Sequence, residues 1–288
     1  PYAFRAYEKR DRPYHRQKMH TLPCRKEAGD SATKGEIMKI GILGGTFNPI
    51  HRGHLNLAKK ALSELSLDMV WIMPAGDPPH KDEITDSTRV DRLEMCRAGI
   101  AELDDGRVMV SDYELFKPTP SYTFLTISEL KTAYPDDDFY FLIGEDSLEK
   151  FTCWVHPEII LDCAILVAAA RTAGRSGKDM TAIADDIEAR LSHRPILLEM
   201  EALPMSSTGI REAIVEDRLS DVEELLPEGV RSYIEVHRLY RKPYDISGEL
   251  AYGIRQDLHK RLKKSRYRHT IGVADTCAAL AQRYGYPV

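Results

Sequence analysis

Gly44-Gly45-Thr46-Phe47-Asn48-Pro49-Ile50-His51-Arg52-Gly53-His54 is the stretch that decides how this chain is read. It follows Lys39-Ile40-Gly41-Ile42-Leu43, a run apolar enough for a buried strand. It precedes Leu55, Ala58, Leu62 and Leu65, which recur at helical spacing. A glycine-rich turn between a buried strand and a helix is where an open parallel sheet binds ligands. Glycines let the backbone approach a phosphate closely. The helix that follows offers N–H groups and the positive end of its dipole to an anion. Thr46 adds a hydroxyl, and His51 and His54 add donors that can turn cationic. The glycines do not follow G-x-G-x-x-G, and no Gly-Lys-Ser/Thr accompanies them, which disfavours the dehydrogenase fingerprint and the Walker loop. Two other readings of the histidine pair stay open. One is zinc ligation, for which no nearby Cys, Asp or Glu completes a set in the motif; the other is plain helix capping.

Outward from that turn, strand and helix signals alternate over residues 38–241. Strands are expected at Met69-Val70-Trp71-Ile72-Met73 (stopped by Pro74), Val108-Met109-Val110, Phe139-Tyr140-Phe141-Leu142-Ile143, Ala164-Ile165-Leu166-Val167 and Ile196-Leu197-Leu198. Helices are expected at 89–103 and 126–131. Continuous apolar runs imply strands covered on both faces, hence a parallel sheet. Alternation of the two element types implies an α/β fold, a Rossmann-like doubly wound parallel sheet. Arg89 and Arg92 share a helical face, read here as solvated.

The rest of the chain is of a different character. Residues 1–37 lack apolar periodicity and carry nine Lys/Arg against five Asp/Glu, the composition of a disordered leader. Met38, directly before the first strand, is read as the natural start of the fold. Residues 242–288 read as wholly helical, over 250–262 and 267–284, a short all-α fragment too small to fold alone. The net charge of −5 disfavours a nucleic-acid partner. No apolar run approaches the roughly 20 residues that span a bilayer, so no membrane association is expected. Five cysteines without CxxC spacing suit reduced thiols and a cytoplasmic location. Cys96, Cys153 and Cys163 are expected as inert core thiols.

A second turn rich in hydroxyls ends in a cation: Met205-Ser206-Ser207-Thr208-Gly209-Ile210-Arg211. It follows the strand near 196–200, and hydroxyl caps, N–H groups and one guanidinium there make a second anion corner. Together the two turns resemble the paired signatures of the nucleotidyltransferase superfamily, the first carrying its HxGH element as His51-Arg52-Gly53-His54. The resemblance narrows at Phe47-Asn48-Pro49, Pro78-Pro79-His80-Lys81, Ser121-Tyr122-Thr123, Ile143-Gly144-Glu145-Asp146 and Trp154. These are similar to bacterial-type nicotinate-nucleotide adenylyltransferase, in consistent order over about residues 38–240.

The resemblance implies transfer of the adenylyl group of ATP to nicotinate mononucleotide, giving deamido-NAD and pyrophosphate, with Mg2+ accompanying ATP. It implies that His51, His54, Arg211 and Thr46 serve the reaction. Gly44, Gly45, Asp146, Ser206, Ser207, Thr208 and Ile210 would hold ATP. Phe47, Asn48, Lys81, Tyr122, Thr123 and Trp154 would hold the acceptor. Trp154 would stack on the nicotinate ring, and N–H groups near Tyr122 and Thr123 would meet its carboxylate. Asp146 would face nucleotide hydroxyls, with a helix cap before Ser147 as its alternative role. Partners are small molecules, and a homodimer is compatible with the resemblance. Two positions depart from the family pattern. Val155 stands where many members carry an aromatic, and Phe124-Leu125 replaces an apolar-Asp pair. Both bear on acid-versus-amide selectivity. Arg266-Tyr267-Arg268-His269 resembles the opening of an HD-type phosphohydrolase, in which His269 would be one ligand of an incomplete metal site.

Overall fold

Six strands form one sheet: β1 (Lys39–Gly45), β2 (Met69–Pro74), β3 (Val108–Val110), β4 (Asp138–Ile143), β5 (Ile165–Arg171) and β6 (Ile196–Met200). Their order is β3-β2-β1-β4-β5-β6 and every pairing is parallel. This is the doubly wound order, in which the direction of winding reverses between β1 and β4. The computed structural model describes residues 37–76, 87–117, 121–171, 179–201, 206–241 and 249–283. Residues 1–36 of the expected leader, Pro78-Pro79-His80-Lys81 and Met205 lie outside the described residues.

The helices are α1 (Arg52–Glu64), α2 (Arg89–Ala101), α3 (Thr123–Ala133), α4 (Glu145–Leu148), α5 (Pro157–Cys163), α6 (Met180–Leu191), α7 (Ser207–Val215), α8 (Glu228–His237), α9 (Glu249–Arg261) and α10 (Lys264–Arg283). The chain divides into two compact units. The first holds the whole sheet with α3 to α6 and all of α1 after Arg52. The second holds Asn48–Arg52, nearly all of α2, and α7 to α10. The glycine-rich turn therefore contributes to both: the chain leaves the first unit after Phe47 and re-enters it at Gly53.

In the first unit, one row across the sheet shows why it holds. Trp71, Ile42, Phe141 and Leu166 are register partners on four successive strands, each at most 3 % exposed. Alternate residues share a sheet face. Ile40 and Ile42, Met69, Trp71 and Met73, and Phe139, Phe141 and Ile143 therefore join Leu130, Phe151, Leu161 and Ile187 in one apolar core. The Trp71 indole N–H meets the Met69 sulfur at 3.1 Å inside it. Gly41 faces the other way, with the side chains of Leu67 and Val70 tight above its Cα. β2 is buried at every residue, as expected of a strand covered on both faces.

Several expectations need correction. Helix α3 starts three residues earlier than its apolar spacing suggested, because Tyr122 takes the N-cap position in an extended conformation. Arg92 is not on a solvated face: it is 1 % exposed. Its spacing places it one turn before Cys96 and two before Gly99, both buried; charge pointed outward, but position decided. Its charge acts on Cys96, a core thiol as expected, which burial nonetheless pushes far up. Cys153 is exposed rather than core, because Phe151 fills the interior from the same short turn, and Cys163 is half-buried. Helices α5, α6 and α8 carry no sequence expectation. α5 begins on a proline after left-handed His156, and α6 on Asp179, whose carboxylate accepts from the Thr181 N–H.

Candidate active site

In the first unit, the ends of β1 and β4 lie side by side where the winding reverses. Gly44 and Gly45 are the last residues of β1, and half-buried Thr46 follows them. A Cβ on Gly45 would come within 3.1 Å of the Phe47 ring, so any side chain there would press on that ring. Phe47 holds φ at 49°, a left-handed value uncommon outside glycine, which redirects the chain. Its ring is 2 % exposed and meets the His54 imidazole edge-on, with centroids 5.0 Å apart and planes at 81°. Phe47 thus orients His54, and a contact of its own with substrate would run through its backbone.

At the end of β4, Gly144 is the N-cap of α4, and Asp146 lies exposed in that helix's first turn. The capping alternative for Asp146 is therefore corrected: the cap position belongs to Gly144, whose extended φ and ψ start the helix. Trp154 follows a short turn after α4. It is half-buried, tilted against Phe151 at 5.4 Å and edge-on to Phe141 at 6.1 Å between centroids. The core grips the indole while part of it stays accessible.

Tyr122 caps α3 without a side-chain cap bond, and its carbonyl accepts from the Leu125 and Thr126 N–H groups. Tyr122 and Phe124 rings lie 6.0 Å apart, and His156 meets Phe124 edge-on at 4.8 Å. The aromatic group of Tyr122, Phe124 and His156 was missed in the sequence. The signal for Phe124 was its position in the first turn of α3, beside Thr123. Two bonds hold the turn. Ser121 Oγ accepts from the Gly76 N–H at 3.0 Å, and the Thr126 hydroxyl donates to the buried Glu114 carboxyl. Burial raises the Glu114 carboxyl above its ordinary value, against the smaller effects of Thr126 and Lys117.

In the second unit, the middle of the first motif meets the second motif. Arg211 Nη1 donates to the Asn48 carbonyl at 2.8 Å, and Ser207 Oγ donates to the Pro49 carbonyl at 3.0 Å. Ser206 is the N-cap of α7, its hydroxyl accepting from the Gly209 N–H, and Arg211 Nη2 reaches Thr208 Oγ1 at 3.5 Å. Ile210 is fully buried, so it can offer a ligand only its backbone. His51 is half-buried, and Arg52 Nε donates to the Glu224 carbonyl at 2.9 Å. Asn48, expected at the acceptor, is 6 % exposed, and its side-chain oxygen accepts from Ser87 Oγ at 2.6 Å and Tyr240 OH at 2.7 Å. That side chain is engaged inside the protein. Ser87 and Tyr240 were not singled out in the sequence.

His269 is exposed on α10. Among the described residues there is no group of three or more His, Cys, Asp and Glu that could hold a metal ion. No helix among them is long and apolar enough to cross a membrane.

A family profile described as cytidylyltransferase-like matches residues 42–213, from the first strand through the second motif. A probable nicotinate-nucleotide adenylyltransferase of Synechococcus sp. (strain JA-3-3Ab) is 40% identical over 206 residues, covering 71% of this chain and 96% of that protein. The chain belongs to the nicotinate-nucleotide adenylyltransferase family. A second probable nicotinate-nucleotide adenylyltransferase, from Exiguobacterium sibiricum, is 40% identical over 207 residues and is covered to 99% of its length. The fold agrees with a solved member of that name. The Plasmodium falciparum nicotinic acid mononucleotide adenylyltransferase complexed with NaAD superposes with a TM-score of 0.59 at 20% identity, over 70% of this chain and 97% of that one.

Proposed function

We propose that this chain joins ATP to nicotinate mononucleotide, giving deamido-NAD and pyrophosphate. Membership of the family supports the reaction. The observation that carries the assignment of residues is the 2.8 Å bond from Arg211 to the Asn48 carbonyl, which ties the second motif to the first. The acceptor's phosphate oxygen attacks the α-phosphorus of ATP. A new P–O bond forms there as the bond to the β-phosphate oxygen breaks, and pyrophosphate leaves with the electron pair. No protein nucleophile takes part, so rate comes from placement and from offsetting charge.

His51 and His54 hold ATP phosphates, and Thr46 lies by the transferred group. Arg211 holds the β/γ end with Ser206, Ser207 and Thr208 at the start of α7. Gly44 and Gly45 give the nucleotide close backbone approach, and Asp146 accepts from its ribose hydroxyls. Trp154 supplies a flat face for the nicotinate ring, and the Tyr122–Thr123 turn supplies N–H donors to its carboxylate. Lys81 belongs to the same reading, although it lies outside the described residues.

Mg2+ fits the donor set in one way. It binds largely through phosphates and water with few protein ligands, so the triphosphate itself would carry it. When bound it offsets charge on the triphosphate; the residues above orient the reactants. The four free cysteines among the described residues suit a reduced, cytoplasmic setting. For residues 242–288 we keep the HD-type likeness, with His269 as a single ligand that cannot hold a catalytic metal alone.

Incubation with Mg2+-ATP and either nicotinate or nicotinamide mononucleotide, with product identification, tests the reading. Deamido-NAD should form far faster from the acid than NAD from the amide. The absence of pyrophosphate release with either acceptor would overturn the function, and comparable rates with both would overturn the selectivity.

A further inference from the structure

Asn48 sits where the two motifs meet, and its surroundings use both ends of the residue. Its side-chain oxygen has two lone pairs, and two hydroxyls approach it: Ser87 Oγ at 2.6 Å and Tyr240 OH at 2.7 Å. Its backbone carbonyl accepts from Arg211 Nη1 at 2.8 Å. Asn48, Ser87 and Tyr240 are 6 %, 7 % and 4 % exposed, so the two bonds to the side-chain oxygen form away from water. Tyr240 lies 192 residues from Asn48 in sequence. It takes a left-handed backbone conformation at φ 64°, and its hydroxyl also lies 3.7 Å from the Met95 sulfur.

An asparagine side chain held at its oxygen by two donors cannot swing about its first two torsions. With Pro49 next in sequence, and its carbonyl held by Ser207, the peptide plane bearing the Asn48 carbonyl is fixed from both sides. The guanidinium that donates to that carbonyl inherits its direction. We propose that Tyr240, seconded by Ser87, is a positioning residue for adenylyl transfer: it fixes Asn48 so that the Asn48 carbonyl aims Arg211 at the triphosphate. This rests on the reading of Arg211 as a phosphate-holding residue.

The test uses the full chain carrying Tyr240→Phe, which removes one oxygen and keeps the buried ring. Loss of one buried hydrogen bond corresponds to about a five-fold effect, within a range of roughly 2- to 12-fold. The kcat/KM for ATP should fall by about that factor, while KM for nicotinate mononucleotide changes less than about two-fold. Affinity for a non-reactive ATP analogue should fall about five-fold in the native background and less than about two-fold when Arg211 is already Ala. Ser87→Ala should move the same quantities in the same direction, and it keeps the proposal testable if the Tyr240 variant folds poorly. A lowered Tm with unchanged kcat/KM and affinity would overturn the proposal. So would equal losses with and without Arg211. Failure of the functional reading is separate: the unaltered chain would then make no deamido-NAD.

Discussion

Gly76→Ala adds one methyl group and tests whether the turn carrying Tyr122 and Thr123 is set from outside itself. The new Cβ would stand 2.6 Å from the Glu114 carbonyl oxygen, 2.8 Å from that of Leu115 and 3.1 Å from the Leu115 carbonyl carbon. All three are backbone atoms, so no rotamer change relieves the clash. Ordinary contact begins near 3.4 Å, so the two backbones must separate by about 0.8 Å. The Gly76 N–H donates to Ser121 Oγ at 3.0 Å, and Ser121 is 8 % exposed. Moving Gly76 away from residues 114–115 therefore stretches the bond that pins the turn. Overpacking of this kind costs about 1–3 kcal/mol and a lost buried hydrogen bond about 1 kcal/mol more. At about 2–4 °C per kcal/mol for a domain of this size, Tm should fall by roughly 5–15 °C.

The turn offers N–H groups to the nicotinate carboxylate, so KM for nicotinate mononucleotide should rise several-fold while KM for ATP stays within about two-fold. Thermal melts and steady-state kinetics on the variant read both quantities. Gly106→Ala is the control: nothing lies within 4 Å of its Cβ, and its Tm should move by no more than about 1 °C. A Gly76→Ala protein that melts with the native one would refute the packing argument. Equal rises in KM for both substrates would refute the link from Gly76 to the acceptor.

Arg211→Lys keeps the charge and loses the planar fork that bonds the Asn48 carbonyl and Thr208; kcat/KM for ATP should fall about 10- to 100-fold, and an unchanged value would remove Arg211 from the site. For Glu114, burial raises the carboxyl above its ordinary value of 4.5, so the folded state keeps its proton longer than the unfolded chain does. The stability Glu114 confers is complete below the unfolded value and is lost as pH rises through the folded one. Urea titrations of Glu114→Gln against the native protein should show its relative stability growing over that window and levelling above it; a gap independent of pH would contradict this. Alkylation under native conditions should label exposed Cys153 and Cys277 quickly and spare buried Cys96; fast labelling of Cys96 would show that the face of α2 it occupies opens readily.

The sheet was legible because its strands are short apolar runs with sharp stops. Each of the six expected strands lies within a residue or two of the observed one at its start, and the parallel arrangement followed from burial on both faces. The first motif was legible because its chemistry is contiguous in sequence. What escaped was set by long-range packing. Asn48 in a glycine-rich turn reads as a ligand-facing polar residue; Ser87 and Tyr240, 39 and 192 positions away, show that its side chain points inward. Phe47 reads as part of a substrate site; what its sequence position did not show is the left-handed backbone and the edge contact of its buried ring with His54. Arg92 looked solvated because it shares a helical face with Arg89, and the burial of Cys96 and Gly99 one and two turns on decided otherwise.

The manner in which Arg211 is anchored bears on what it can do. Arg194 lies against the carboxylates of Asp185 and Glu188, and Arg218 against those of Glu216 and Asp221; in each case anions on the same chain already offset the charge. The bonds from Arg211 to the Asn48 carbonyl and to Thr208 Oγ1 fix its direction through neutral acceptors, and neither removes charge from the guanidinium. A guanidinium carries five N–H donors, so bonds that direct it and bonds to a ligand can share one side chain. A residue that must offset charge on a polyphosphate needs its position fixed before the substrate arrives and its charge undiminished when it does. The Asn48 carbonyl serves the first need, on a residue whose side-chain oxygen Ser87 and Tyr240 hold.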